Sequence, residues 1–138
     1  MKNIKDRIPG IILTVLSLLL TVGVKLIFPA CGPKEDGTWM ACHWAEQAVF
    51  GMGIALTTIS VVVLITGGSR VSAGAAIALI SAAAVTVITP GILINLCMMQ
   101  NMRCHTVMSP AVTVLCALII AVSAFHVFVQ LRKSGGGR

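Results

Sequence analysis

The sequence has little charge, and the charge it has is segregated. Only 10% of the 138 residues are charged, ten basic and four acidic, whereas 57% are hydrophobic and the mean hydropathy is +1.01. A soluble domain of this size carries about a quarter charged residues. The shortage therefore excludes a soluble globular enzyme, a disordered chain and a nucleic-acid-binding module. The charged residues flank long apolar runs, so the net charge of +6 indicates an integral membrane protein.

Sequence signatures of common chemistry are also missing. The chain has no phosphate-binding loop, no Ser/His/Asp set and no carboxylate pair of the kind used in acid–base catalysis. No series of acids and bases runs through the apolar segments, which disfavours a stand-alone proton-coupled carrier. We therefore expect a protein that is not an enzyme and that needs no cofactor.

Four apolar runs, each long enough to cross a bilayer, divide the chain. The runs cover approximately residues 8–29, 45–66, 72–96 and 109–131, with outer loops at 30–44 and 97–108 and an inner turn at 67–71. The sequence predicts one all-α integral membrane domain over residues 1–138, a bundle of four transmembrane helices. Residues 134–138 resemble a linker left by cloning.

The basic residues predict the orientation. Seven lie on the side that holds both ends of the chain, and two, Lys34 and Arg103, lie in the opposite loops. Positive charge accumulates on the cytoplasmic side of a membrane. We therefore expect both termini in the cytoplasm and both longer loops outside.

Proline and small residues refine the predicted helices. Pro90-Gly91 predicts a kink in the third span, and Ser109-Pro110 predicts a capped start for the fourth. The third span is rich in residues that permit close backbone approach, namely Gly74, Ala75, Ala76, Ala78, Ser81, Ala82, Ala83 and Ala84. Small residues mark packed helices in lipid, so this helix is expected at the bundle centre or at a subunit interface.

The two outer loops share a short pattern. Met40-Ala41-Cys42-His43 precedes the second span, and Met102-Arg103-Cys104-His105 precedes the fourth. Each follows an earlier cysteine, Cys31 or Cys97. The chain thus reads as two parallel helix–loop–helix hairpins. No helix break separates Cys42 and His43 from the second span, so we expect these two in the first turn of its helix, whereas Ser109-Pro110 leaves Cys104 and His105 in the loop.

This pattern resembles a family of small four-helix bacterial membrane proteins known only as a domain of unknown function. The resemblance is carried by Cys31, by Met40-Ala41-Cys42-His43-Trp44, by Cys97-Met98 and by Met102-Arg103-Cys104, and covers nearly the whole chain. It implies a bacterial cytoplasmic membrane and an association with ABC-transporter ATPases and permeases of the macrolide-exporter type. It brings no activity with it.

The outer cysteines support three interpretations. Cys31, Cys42, Cys97 and Cys104 lie on the oxidising side, which favours two disulfides. Three pairings are possible, of which pairing within each loop is the simplest. The fifth cysteine, Cys116, is expected to pack inside the fourth helix.

The first alternative is an extracytoplasmic site for copper, zinc or haem. Thiolate, thioether and imidazole donors would come from Met40, Cys42, His43, Met102, Cys104 and His105. The second is a quinone-linked thiol–disulfide oxidoreductase, because the layout is similar to that of the bacterial enzyme that reoxidises periplasmic disulfide donors. That family has a CxxC in its first loop, where this chain has ten residues between Cys31 and Cys42.

Two further residues complete the expectations. Glu46, the only acid close to a span, is the candidate contact for a partner, for Lys25 or for Arg103, while His126 is interpreted as a packed residue or one that reaches the interface. The leading hypothesis is a non-enzymatic membrane protein with disulfide-pinned outer loops. It would serve as an accessory or assembly subunit of a membrane transporter, or associate with itself through the third helix.

Overall fold

A computed structural model describes residues 4–27, 32–39, 41–95 and 104–136. These residues are helical apart from turns. The helices are α1 (Ile4–Leu26), α2 (Ala41–Thr66), α3 (Arg70–Ile88) and α4 (Ser109–Gly135), with a π-helical turn, Cys104–Met108, directly before α4. At about 1.5 Å per residue, even the 19 residues of α3 approach the ~30 Å of a bilayer core. Four helices are long and apolar enough to cross a membrane, which indicates a multi-pass membrane protein.

Each helix packs mainly against two others. α1 contacts α2 and α4, and α3 contacts the same two helices, so the bundle closes as a ring in chain order. Neighbouring helices run antiparallel: Lys25 near the end of α1 meets Glu46 near the start of α2, and Ser72 at the start of α3 meets His126 near the end of α4. The third helix therefore occupies one position in the ring and not the bundle centre. The alternative expectation for it, a subunit interface, stays a prediction.

A seven-residue spacing selects the side chains that face the bundle core. On α2 the large members are Val49, Leu56 and Val63, and the small members are Gly53 and Ser60, a series that Gly67 continues directly after the helix. On α1 Leu13 and Leu20 alternate with Gly10, Ser17 and Val24 in the same way. This is the repeat of helices that wrap around one another with small crossing angles.

Among the helix contacts made at glycine residues, the one between α1 and α2 is the closest. A Cβ atom at Gly10 would lie 2.8 Å from Leu64 Cα, and one at Gly53 would lie 2.6 Å from Thr21 Oγ1. Between these two points the Ser17 and Ser60 hydroxyls lie 2.9 Å apart. Glycine and serine therefore let two backbones meet, as expected for helices that pack in lipid. We call this contact the α1–α2 seam.

Most of the outward surface of the helices is apolar. Between 28% and 33% of each apolar stretch is buried in the bundle, and the outward positions include many large hydrophobic residues, such as Ile11, Leu18, Leu118 and Phe125. A helix that is hydrophobic all around suits a surrounding of lipid chains.

Two predicted helix boundaries differ in detail. The predicted kink at Pro90-Gly91 is instead the end of the helix, since α3 ends at Ile88. Residues 90–94 form a turn in which the Gly91 N–H donates to the Ile94 carbonyl. Gly91 has a φ of +110°, which an L side chain rarely adopts. Ser109 does not cap α4, because helical backbone already precedes it from Cys104, and the cap position is Met108 with no side-chain hydrogen bond.

Candidate functional site

The charged side chains of the described residues lie at the two ends of the bundle. We call the end that holds Cys42 and the 104–108 turn the cysteine end. The opposite end holds the starts of α1 and α3 and the end of α4, and we call it the basic end. Both are built by helix termini, where side chains can satisfy free backbone groups and partial charges.

Cys42 and His43 lie in the first turn of α2, as the absence of a helix break before them predicted. Cys42 is fully buried in the bundle. His43 is half-buried, with its ring stacked on Trp39 at a centroid distance of 4.1 Å and edge-on to Trp44 at 5.8 Å. Adjacent residues on a helix point about 100° apart, so the thiol faces inward and the imidazole stands among the indoles.

A buried ion pair lies one turn further along α2. The Lys25 ammonium donates to Glu46 Oε1 at 2.8 Å, and the glutamate side chain is 9% exposed. Lys25 Nζ also lies 5.2 Å from the centre of the Phe50 ring, a cation–π distance. Lys25 lies in the last turn of α1, where the helix dipole favours a cation. The pair ties α1 to α2 beyond the end of their seam.

The other predicted site residues give a partial picture. Cys31, Met40, Cys97 and Met102 lie outside the described residues. The backbone of Cys104 and His105 forms the start of the π-helical turn, which continues into α4. Within the described part of the chain, no three His, Cys, Asp or Glu side chains are grouped as they would be to hold a metal ion. The predicted copper, zinc or haem donors thus stay a prediction.

Cys116 and His126 are packed residues, as predicted. Cys116 is a free thiol, fully buried in the core on α4. His126 is 2% exposed, and its Nε2 lies 2.6 Å from Ser72 Oγ on α3. The first therefore contributes volume, and the second joins α3 to α4 near the basic end.

The basic end holds several polar contacts that the sequence patterns did not reveal. Asp6 on α1 pairs with Lys133 on α4, and the Ser69 side chain caps α3 by accepting a hydrogen bond from the Ser72 N–H. Gln130, only 9% exposed, makes no side-chain hydrogen bond with any described residue. One signal was available: Ser123 and Gln130 continue the seven-residue series of Cys116.

Two cavities open at the basic end. One, of about 400 Å³, lies between α1 and α4 and is lined by residues that include Asp6, Pro9, Phe125 and His126. The other, of about 540 Å³, lies between the start of α3 and the end of α4 and includes Arg70 and Lys133. Gln130 lines both cavities, so its amide stands in the wall between them.

Comparison with known proteins gives one match. Residues 13–129 match a family model described as "Domain of unknown function (DUF4418)". No curated protein matches the chain, and no solved structure matches it. The matched range covers all four helices in whole or in large part, from the first core leucine of α1 to the residue before Gln130.

Proposed function

The chain belongs to the DUF4418 family of unknown function, and from this starting point we propose that it is a non-enzymatic membrane subunit. In this proposal it assembles laterally in the bacterial cytoplasmic membrane with a second copy or with a transporter. The macrolide-exporter type of ABC transporter is the partner that the sequence resemblance implies. The outward face of α3 makes the contact, and the outer loops are held by disulfides.

The observation that carries this proposal is the outward face of α3. Gly74, Ala78 and Ser81 are all exposed, and a Cβ atom at Gly74 would meet nothing within 4 Å. Ile77 is the only large hydrophobic residue exposed between Gly74 and Ser81. In lipid, a face of this kind gains more from an approaching helix than from acyl chains, because small residues let backbones and hydroxyls come close.

The other helices differ in their outward residues. α1 exposes only branched aliphatic side chains along its middle, including Ile11, Val15 and Leu18. α4 exposes Ala117, Ala121 and Ala124 at the same spacing as the α3 residues, but large side chains beside them are exposed as well, namely Val114, Leu118, Phe125 and Phe128. These bulkier surfaces match lipid chains, which supports α3 as the contacting helix.

α2 has the same spacing as α3, and the sequence interpretation missed it. Gly51, Ala55 and Thr58 are exposed, as are the residues at the same positions of the α3 pattern. Exposed Ile54 and Val62 on α2 match exposed Ile77 and Val85 on α3, but α2 also exposes Val61, where α3 has the half-buried Ala84. We therefore place the first contact on α3 and treat α2 as a second face available to a larger assembly.

The charge at the basic end supports the proposed orientation. Arg7, Arg70, Arg132 and Lys133 lie near helix termini at this end. At the cysteine end the basic residues of the described chain are two, Lys25 and Lys34. Under the positive-inside rule the basic end faces the cytoplasm and the cysteine end faces outside.

Co-purification tests the proposal. The protein would be extracted from its own cells in polymer-bounded bilayer discs, so that neighbours in the membrane are kept. We expect particles that contain a second copy or a defined membrane partner beside the 14.4 kDa chain. A chain that is alone and monomeric in every extract would contradict the proposed function.

The state of the cysteines tests the outer loops. We predict that Cys31, Cys42, Cys97 and Cys104 are oxidised and that Cys116 is a thiol, so alkylation of the unfolded, unreduced chain adds one label. A metal site needs free thiolates and would give up to five labels after metal removal. Five labels without bound metal would contradict both structural disulfides and a metal site, and labelling that shifts with a mild redox buffer would favour the oxidoreductase.

A further inference from the structure

The cavity between α3 and α4 has the features of a binding site for an anionic lipid. Its upper part lies at the basic end, where Arg70 and Lys133 line it. Its lower part runs along Gly74 and Ile77. Cationic groups above an apolar wall match the two parts of a phospholipid.

The charge of the upper part is suited to a phosphate group. Among the described residues that line this cavity, none is acidic. Asp6 neutralises part of the Lys133 charge from outside it, but an ammonium has three N–H donors and the ion pair uses one. The α3 helix also begins here, and its first backbone N–H groups carry partial positive charge.

Gln130 provides an independent sign of a ligand. Its side chain lines the cavity, is nine-tenths buried and makes no hydrogen bond with any described residue. The amide opens onto the cavity, so its hydrogen bonds go to whatever occupies the cavity, water or a ligand. A phosphate or glycerol-ester oxygen in the cavity would accept from this amide.

The lower part has room for an acyl chain. A Cβ atom at Gly74 would meet nothing within 4 Å, so the space beside this residue is open. Ile77 provides an apolar wall along the same path, one turn further into the membrane. A free phosphate would leave this lower part without an apolar occupant.

We infer that this cavity binds one anionic phospholipid. The phosphate lies between Arg70 and Lys133 with the Gln130 amide donating to it, and one acyl chain follows Gly74 and Ile77. The site would fix the depth of the basic end in the membrane, and its acyl chain would cover the Gly74 end of the proposed contact face of α3, which leaves Ala78 and Ser81 for a partner helix.

Native mass spectrometry with phosphatidylglycerol or phosphatidylcholine in the micelle tests the site. We expect the protein to retain phosphatidylglycerol preferentially, and Arg70→Gln to weaken that retention about tenfold, as for loss of one charge-assisted hydrogen bond. Arg132→Gln is the matched control. It removes the same charge at the same end, but Arg132 lies over the Phe128 ring and does not line the cavity. Equal losses in the two variants would overturn the proposal, because general surface charge would then explain the binding.

Two further arms test the amide and the acyl chain. Gln130→Leu should weaken phosphatidylglycerol retention, and Gly74→Leu should fill the lower part and weaken it without a change in charge. Circular dichroism checks that both variants fold, and Arg70→Gln remains informative if either does not. Displacement of the lipid by excess glycerol 3-phosphate, with no effect of Gly74→Leu, would assign the site to a soluble phosphate and overturn the lipid.

Discussion

The α1–α2 seam and the outward face of α3 use the same kinds of residue in opposite surroundings. In the seam, Gly10 and Gly53 stand against another helix, and the Ser17 and Ser60 hydroxyls face each other. On α3, Gly74 meets nothing and the Ser81 hydroxyl donates to its own backbone at Ala78. Small residues in these helices therefore permit close contact between backbones. In the seam another helix of the chain makes that contact, whereas on the outward face of α3 no other helix in the described part of the chain does.

The largest expected effect comes from adding one carbon to the seam. Gly10→Ala would place Cβ 2.8 Å from the backbone of Leu64, so α1 and α2 must move apart. We expect a loss of about 2–3 kcal/mol in the free energy of unfolding, the usual cost of overpacking. Detergent-titration unfolding followed by circular dichroism measures it.

Gly51→Ala is the matched control for Gly10→Ala. Gly51 lies outward on α2 with nothing within 4 Å of a Cβ atom, so alanine should be neutral or add up to about 1 kcal/mol through helix propensity. If both variants lost the same stability, the distinction between seam and outward glycines would fail.

The next effect concerns the ion pair beyond the seam. Lys25→Met leaves Glu46 buried without its ammonium, and we expect a loss of about 2 kcal/mol. Lys133→Met breaks the pair with Asp6, in which the lysine is 54% exposed, and should cost less than about 1 kcal/mol. The same unfolding titration compares the two.

A double variant separates the charge from the packing at this pair. Lys25→Met combined with Glu46→Leu removes both charges, and most of the stability should return because the buried carboxylate that Lys25 neutralised is gone as well. No recovery would show that lost contacts of the lysine stem, and not the lost neutralisation of Glu46, explain the effect.

The smallest effect is expected for the paired hydroxyls of the seam. Ser17→Ala leaves Ser60 still donating to the Leu56 carbonyl, so no buried donor loses its only partner. We expect a loss of less than about 1 kcal/mol, as is typical of hydrogen bonds between membrane helices. A loss above about 2 kcal/mol would show that the hydroxyl pair, and not close backbone approach, holds the seam.

Four apolar helices and the placement of Cys42 and His43 on α2 could be predicted from the sequence. The residues that form the core could not be predicted, because in these helices the outward faces are as apolar as the inward ones. Hydropathy therefore does not separate the two faces. The usable signal was the seven-residue series of small residues, such as Gly53, Ser60 and Gly67. The richness of α3 in alanine drew attention away from it and towards a central position for α3.

The polar residues show a second limit of sequence reasoning. Glu46 and Lys25 could be paired in advance, because both lie near the same end and the last turn of α1 favours a cation. The role of Gln130 could not be predicted in advance, because it depends on a cavity formed by two helices distant in sequence. The same applies to Ser72 and His126, which are 54 residues apart.

The most direct test of the central claim is energy transfer between labelled copies diluted in bilayers, with and without the partner found by co-purification. Ala78→Leu, Ala55→Leu and Ala117→Leu add the same bulk to the outward faces of α3, α2 and α4. Our account predicts that Ala78→Leu weakens association at least about tenfold, that is by about 1.4 kcal/mol, and that Ala117→Leu leaves it unchanged. Equal effects of all three variants, or no effect of Ala78→Leu, would contradict assembly through α3.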